Sequence, residues 1–177
     1  MTTSRFYLKC LSALLASILL TGLAQAQSPM TPAQSTVDKA SPEEAKAIHT
    51  LLDTYTQSVT DRNKALFESL LLDENIPFFC VEDLSRPSFQ ASTKTVSSYA
   101  GFRKSVFDSG TRFHQTFSNV KIEQEGALAQ VSLNFETLVD GTNDGGRGWK
   151  VLHLLKINGK WKIASEFYTA YSIKKSA

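Results

Sequence analysis

The chain has 177 residues, 19 of them Lys or Arg and 17 Asp or Glu, with two cysteines. Residues 1–26 contain two of the basic side chains, Arg5 and Lys9, and no acidic one, so the other 151 residues carry 17 charges of each sign. A neutral stretch of that length has no long-range field with which to gather phosphate, which argues against nucleic-acid and polybasic membrane binding, and about 150 residues is an ordinary size for one core.

Residues 1–26 read as a cleaved secretory signal. A basic start is followed by the apolar run Cys10 to Leu23 and by the small-residue triplet Ala24-Gln25-Ala26, which predicts cleavage between Ala26 and Gln27 and a periplasmic or secreted protein. Cys10 leaves with this segment, so Cys80 is expected to stand alone and no intrachain disulfide can form. The apolar stretch is short and wrongly flanked for a stable membrane span. Residues 27–40, rich in Ser, Thr, Pro and Gln, read as a flexible linker. A single domain is expected over 41–173, with 174–177 as a tail.

Ser41-Pro42-Glu43-Glu44 announces the first helix, with a capping serine, proline at the first helical position and Glu44 placed to complete a capping box. Its buried stripe is Ile48, Leu52, Tyr55 and Val59. After a break at Thr60-Asp61, a short second helix presents Leu66, Phe67, Leu70 and Leu71. Ile76 to Val81 reads as an edge strand, because Pro77 cannot donate to a ladder, and 85–93 as a loop. A third helix is expected over 95–108, presenting Val96, Tyr99, Phe102 and Val106, with Gly110 as its stop.

From Thr111 the apolar period becomes two. Phe113 and Phe117 lie on one parity and Val120 and Ile122 on the other, which predicts a bulge near Ser118-Asn119 or a long bent strand. The strand from Ala129 to Val139 alternates cleanly, residues 140–148 read as a glycine-rich connection, and the strand from Trp149 to Ile157 is apolar on both parities. The last hairpin turns near Asn158-Gly159. A two-residue turn pairs Leu154 with Ile163 and Leu155 with Lys162 and mixes apolar and charged positions. A three-residue loop pairs Leu155 with Trp161 and His153 with Ile163 and separates them, so the second register is expected. It places Trp149, Val151, His153, Leu155, Trp161, Ile163, Ser165, Phe167 and Tyr171 on one face and Leu152, Leu154, Glu166 and Tyr168 on the other.

Three helices, a short edge strand and a curved four-strand meander resemble the nuclear-transport-factor-2-like superfamily, which includes ketosteroid isomerases and polyketide cyclases. The resemblance covers Glu43 to Ser172. Its best local features are Asp61-Arg62-Asn63-Lys64 after the first helix and the closing hairpin Leu154 to Ile163. It implies an α+β fold in which three N-terminal helices pack on a strongly curved antiparallel sheet, forming a cone with an internal pocket. It also implies a homodimer, with Leu152, Leu154, Glu166 and Tyr168 as the candidate contact face. Tyr55 stands where ketosteroid isomerases carry a helix tyrosine, but Phe78, Phe79 and Cys80 occupy the strand that should supply the proton-abstracting carboxylate. An aromatic side chain cannot move a proton between carbons, so the reading leans away from an enzyme.

The candidate pocket residues are Tyr55, Phe79, His114, Trp149, His153, Ser165 and Tyr171. His153, set among aromatic and aliphatic neighbours beside Ser165, could serve as a base or hydrogen-bond donor, and His114 shares a polar parity with Thr116 and Ser118. His49, His114 and His153 show no metal-binding spacing, so neither a metal nor another cofactor is expected. No nucleophile motif surrounds Cys80. The expectation is an exported domain that binds a small apolar ligand or a protein partner. The alternative is an isomerase, lyase or cyclase using a pocket His and Tyr as acid and base.

Overall fold

The computed structural model describes residues 38–80 and 99–173. The signal, most of the linker and the loop expected at 85–93 lie outside them. Asp38 and Lys39, near the end of the expected linker, form strand β1 (Asp38–Lys39), paired antiparallel with Glu123 and Gln124 in the first strand of the meander. Helix α1 (Pro42–Thr60) is capped by the Ser41 hydroxyl, which accepts from the Glu44 backbone N–H at 3.3 Å. The capping box is only half made, because the Glu44 carboxylate turns away to accept from Lys156 Nζ and from Trp161 Nε1 at 2.7 Å. The stripe Ile48, Leu52, Tyr55 and Val59 is buried as its spacing predicts.

Asn63 caps the short helix α2 (Lys64–Glu68). Of its expected apolar face, Phe67 and Leu71 are buried while Leu66 is exposed. Phe67 is the hub of an aromatic cluster, with ring centroids 4.7 Å from Tyr55, 5.6 Å from Tyr99, 5.3 Å from Phe102 and 5.2 Å from Phe107. These contacts tie α1 and α2 to α3 (Tyr99–Val106) and its end, and such ring pairs add about 0.5–1.5 kcal/mol each beyond area burial.

Strands β2 (Phe78–Cys80), β3 (Phe113–Glu125), β4 (Leu128–Val139), β5 (Gly145–Ile157), β6 (Lys160–Tyr168) and β7 (Tyr171–Ile173) complete a seven-stranded sheet in the order β1-β3-β4-β5-β6-β2. β7 pairs with β5 beyond the end of β6. β2 is an edge strand, as Pro77 predicts, but it runs parallel to β6, so the sheet is mixed. The bulge falls where the parity change in β3 predicts it, between Ser118 and Lys121, with Asn119 at φ 52°. It lets Phe113, Gln115 and Phe117 before it and Val120 and Ile122 after it face the helices.

The expected 140–148 connection is shorter than read, because β5 begins at Gly145. A Cβ at Gly145 would lie 2.1 Å from the Thr137 carbonyl oxygen, and one at Gly148 would lie 1.8 Å from that of Thr169. These glycines serve close strand approach.

The closing hairpin takes the two-residue register, not the expected three-residue one. Asn158 and Gly159, at φ 50° and 77°, form a two-residue turn, and Leu154 pairs with Ile163 and Leu155 with Lys162. Beyond the turn, β6 carries an extra residue. Ser165 pairs with His153 while Ile163 pairs with Leu154, leaving Ala164 as a bulge. Trp161 and Ile163 before the bulge, and Glu166 and Tyr168 after it, therefore share the concave side with Lys150, Leu152 and Leu154. Leu152, Leu154 and Glu166 are each 0% exposed and are not a dimer face. Trp149, Val151, His153, Phe167 and Tyr171 lie on the convex side instead.

Candidate functional site

A cavity of ≈ 330 Å³ lies between the concave sheet face and α3. Its wall is mostly apolar: Val59 from α1, Phe78 from β2, Phe102 and Val106 from α3, and Phe135 from β4. The volume falls at the lower end of small-molecule sites and corresponds to about eleven waters. Three sequence features shape it. The β3 bulge turns Gln115 inward, the β6 bulge turns Glu166 and Tyr168 inward, and Gly101 of α3 borders the space with no described residue within 4 Å of where its Cβ would be. A glycine inside a helix costs about 1 kcal/mol relative to alanine, so this position gives up helix stability beside open volume.

Lys150 and Glu166, 2% and 0% exposed, supply charge to this wall. Lys150 Nζ donates to Glu166 Oε1 at 2.7 Å and to the Tyr55 hydroxyl at 2.8 Å, and the Tyr55 hydroxyl faces Glu166 Oε2 at 3.0 Å as donor. The ammonium also lies over the rings of Tyr55, Phe135, Phe117 and Tyr168, at 4.6, 5.1, 5.3 and 5.5 Å from their centroids. Burial raises the Glu166 carboxyl above its usual range, against the opposing pull of Lys150 and the Tyr55 hydroxyl. Burial likewise lowers Lys150, against the pull of Glu166. Tyr55 is pushed well up by burial and then by the Glu166 charge, so it keeps its proton. The cluster is a buried proton-sharing triad whose Lys and Glu reach the cavity.

Gln115 is the other polar group here. It is 5% exposed, its Nε2 donates to Thr137 Oγ1 at 2.9 Å, and its Oε1 has no hydrogen-bond partner among the described residues.

The structure disperses the residues expected to form the pocket. Tyr55 is fully buried behind the cavity wall, hydrogen-bonded to Glu166 and Lys150. His153 sits half-buried on the convex face, Nδ1 2.7 Å from Ser165 Oγ and edge-on to Phe167, so it does not converge with Tyr55. Phe79 packs toward Phe167 and His114 is exposed. Trp149 and Tyr171, 53% and 59% exposed, border a separate open groove with Asn134, Glu136 and Arg147. One physical cause underlies most of these displacements: the two-residue turn puts Trp161 and Ile163 on the side of Leu152 and Leu154 rather than that of His153, so the side of β5 that faces the core is the opposite of the one expected. Tyr168, expected on the dimer face, is half-buried, lines the cavity and meets the Phe135 ring edge-on at 5.9 Å. Lys150 and Gln115 are absent from the residues expected at the site, and Glu166 is expected on the dimer face. Lys150 and Gln115 are legible as polar residues on an inward parity, Gln115 between Phe113 and Phe117 and Lys150 in line with Leu152 and Leu154, whereas Glu166 is turned inward by the bulge.

No family model matches the chain, and no curated protein matches its sequence. Solved structures do resemble it. A nuclear-transport-factor-2-like protein of unknown function from Pseudomonas putida KT2440 aligns with a TM-score of 0.58 at 16% identity, covering 75% of this chain and 89% of that one. A protein of unknown function with a cystatin-like fold from Nostoc punctiforme PCC 73102 gives 0.57 at 14% identity, covering 76% and 96%. A candidate scytalone dehydratase from Novosphingobium aromaticivorans DSM 12444 gives 0.55 at 15% identity, covering 76% and 89%.

Proposed function

We propose that this chain, which has the nuclear-transport-factor-2-like α+β fold, binds a small and largely apolar molecule inside the cone. The observation that carries the reading is the ≈ 330 Å³ cavity, walled by aromatic and aliphatic side chains and bordered by a helix glycine, with the Lys150–Glu166 pair in its wall. A wall of this kind favours a ligand with an apolar body and few polar atoms. N-phenyl-1-naphthylamine, an uncharged dye whose emission rises in apolar surroundings, should bind wild type saturably with one site. Gly101→Leu, which extends a side chain into the space, should abolish that binding and leave thermal stability equal or higher. An unchanged titration in the variant, or no saturable binding to wild type, overturns the reading.

Export to the periplasm or outside the cell remains part of this proposal, resting on the residue pattern of 1–26 and testable as a mature mass beginning at Gln27. So does homodimerisation, which must use surfaces other than Leu152, Leu154 and Glu166. A second reading, proton-transfer catalysis, is favoured by one observation: Glu166 brings to the cavity a carboxylate that β2 lacks. Its earlier form, with His153 and Tyr55 as acid and base, loses His153 to the convex face. In the catalytic reading, Glu166→Gln abolishes turnover while leaving dye binding intact.

A further inference from the structure

The polar groups of the cavity wall are unequal in how fully they are satisfied. Glu166 accepts from both Lys150 and Tyr55. Lys150 uses two of its three ammonium hydrogens on Glu166 and Tyr55, and among the described residues the third has aromatic rings beside it and no hydrogen-bond acceptor. Gln115, which lines the cavity and is 5% exposed, spends one end of its carboxamide on Thr137, and the other end, itself buried, has no partner among the described residues. A buried amide end left unpaired costs about 1–3 kcal/mol, so a ligand group that pairs with it is correspondingly favoured.

The sheet register fixes how these two poles are related. Gln115 pairs across the strands with Thr137, and the next pair on the same inward face is Phe117 with Phe135. The Lys150 ammonium lies over those two rings, 5.3 and 5.1 Å from their centroids. Same-face positions are two residues apart, about 7 Å along a strand. The cavity therefore has an acceptor at Gln115 and a donor at Lys150, separated by about one aromatic ring and flanked by Phe78, Phe102 and Phe135.

We propose, resting on the ligand-binding reading above, that Gln115 selects the ligand: the cavity takes a ring compound with a hydroxyl or N–H donor at one end, held by Gln115, and a carbonyl or similar acceptor at the other, held by Lys150. Gln115 is a specificity residue in this scheme, and no bond to the ligand is made or broken.

The test uses 4-hydroxyacetophenone, which has both groups, beside 4-methoxyacetophenone, which lacks the donor, and 4-ethylphenol, which lacks the acceptor. Titration calorimetry of the wild-type protein should show 4-hydroxyacetophenone binding about tenfold more tightly than either of the others. Gln115→Met, close in shape but without the amide, should bring the hydroxy and methoxy compounds within about twofold of each other and leave the preference over 4-ethylphenol in place. Equal wild-type affinities for the three compounds overturn the inference while leaving the cavity reading standing, as does a hydroxyl preference that survives in Gln115→Met. Failure of all three compounds and of N-phenyl-1-naphthylamine to bind wild type overturns both. The wild-type comparison stands even where the variant does not fold.

Discussion

Severing the Lys150–Glu166 pair should cost far more than removing it. The two groups are 2% and 0% exposed and 2.7 Å apart, so neither has water to fall back on. Lys150→Met leaves a buried carboxylate with only the Tyr55 hydroxyl as donor, and Glu166→Gln leaves a buried ammonium facing neutral oxygens. Breaking such a pair from one side costs about 3–5 kcal/mol, whereas replacing both members by well-packed hydrophobic side chains of similar volume is often neutral or stabilising. At roughly 3 °C per kcal/mol for a domain of this size, each single variant should melt about 10–15 °C below wild type. The double variant should melt above either single one, because no buried charge remains and glutamine still accepts from Tyr55, with the unpaired amide N–H as its residual cost. The pH dependence carries a sign. Without Lys150, the Glu166 carboxyl rises further above its ordinary 4.5, so the fold favours its protonated form more strongly. The stability associated with that proton is fully present below the ordinary carboxylate range and is lost as pH rises through the raised folded value. The deficit of Lys150→Met relative to wild type should accordingly be larger at pH 8 than at pH 4. Thermal unfolding of the four proteins at both pH values checks this. Losses that simply add in the double variant, or a deficit that grows toward pH 4, would refute the account of a desolvated, mutually dependent pair.

Three more outcomes follow from the fold. Glu44 is held below the usual carboxylate range by the hydrogen bond from Lys156 and then by that from Trp161, so its stabilising effect is present above 4.5 and lost as pH falls through its lowered folded value. Glu44→Gln should therefore lower the melting temperature at pH 7 more than at pH 3 and alter Trp161 emission. Gly148→Ala should destabilise by about 1–3 kcal/mol in denaturant unfolding and free the segment around β7 from β5, because the added methyl would lie 1.8 Å from the Thr169 carbonyl oxygen. Deleting Ala164 removes the β6 bulge but keeps Ile163 opposite Leu154 and Ser165 opposite His153, so Glu166 and Tyr168 stay inward and circular dichroism and gel filtration should report a folded, soluble chain. An unfolded or aggregated deletion variant would contradict the register given to β6.

Most of the architecture was legible because it is written in local periodicity. The α1 stripe, the Pro77 edge strand and the parity change across Ser118-Asn119 each follow from a few neighbouring residues. The site was less legible because it depends on one extra residue. The Asn158-Gly159 turn sets Leu155 against Lys162, a mismatch that argues against the true register, and the Ala164 bulge, which brings Glu166 and Tyr168 inward, has no compositional mark. The true register carries Trp161 and Ile163 to the side of Leu152 and Leu154, which makes that side of β5 the concave one. His153, Trp149 and Tyr171 lie outward in it, and Lys150 and Glu166 inward. The half-made capping box failed for a different reason: Glu44 had a better partner in Lys156 and Trp161, more than 100 residues away and beyond the reach of local pattern.

The central claim is that the cone encloses a ligand site, and native mass spectrometry of protein purified from its own host tests it most directly. Wild type should carry a small-molecule adduct that dissociates on denaturation, and Gly101→Leu purified in parallel should carry none. The same adduct on both proteins, or a bare mass for wild type, would contradict it.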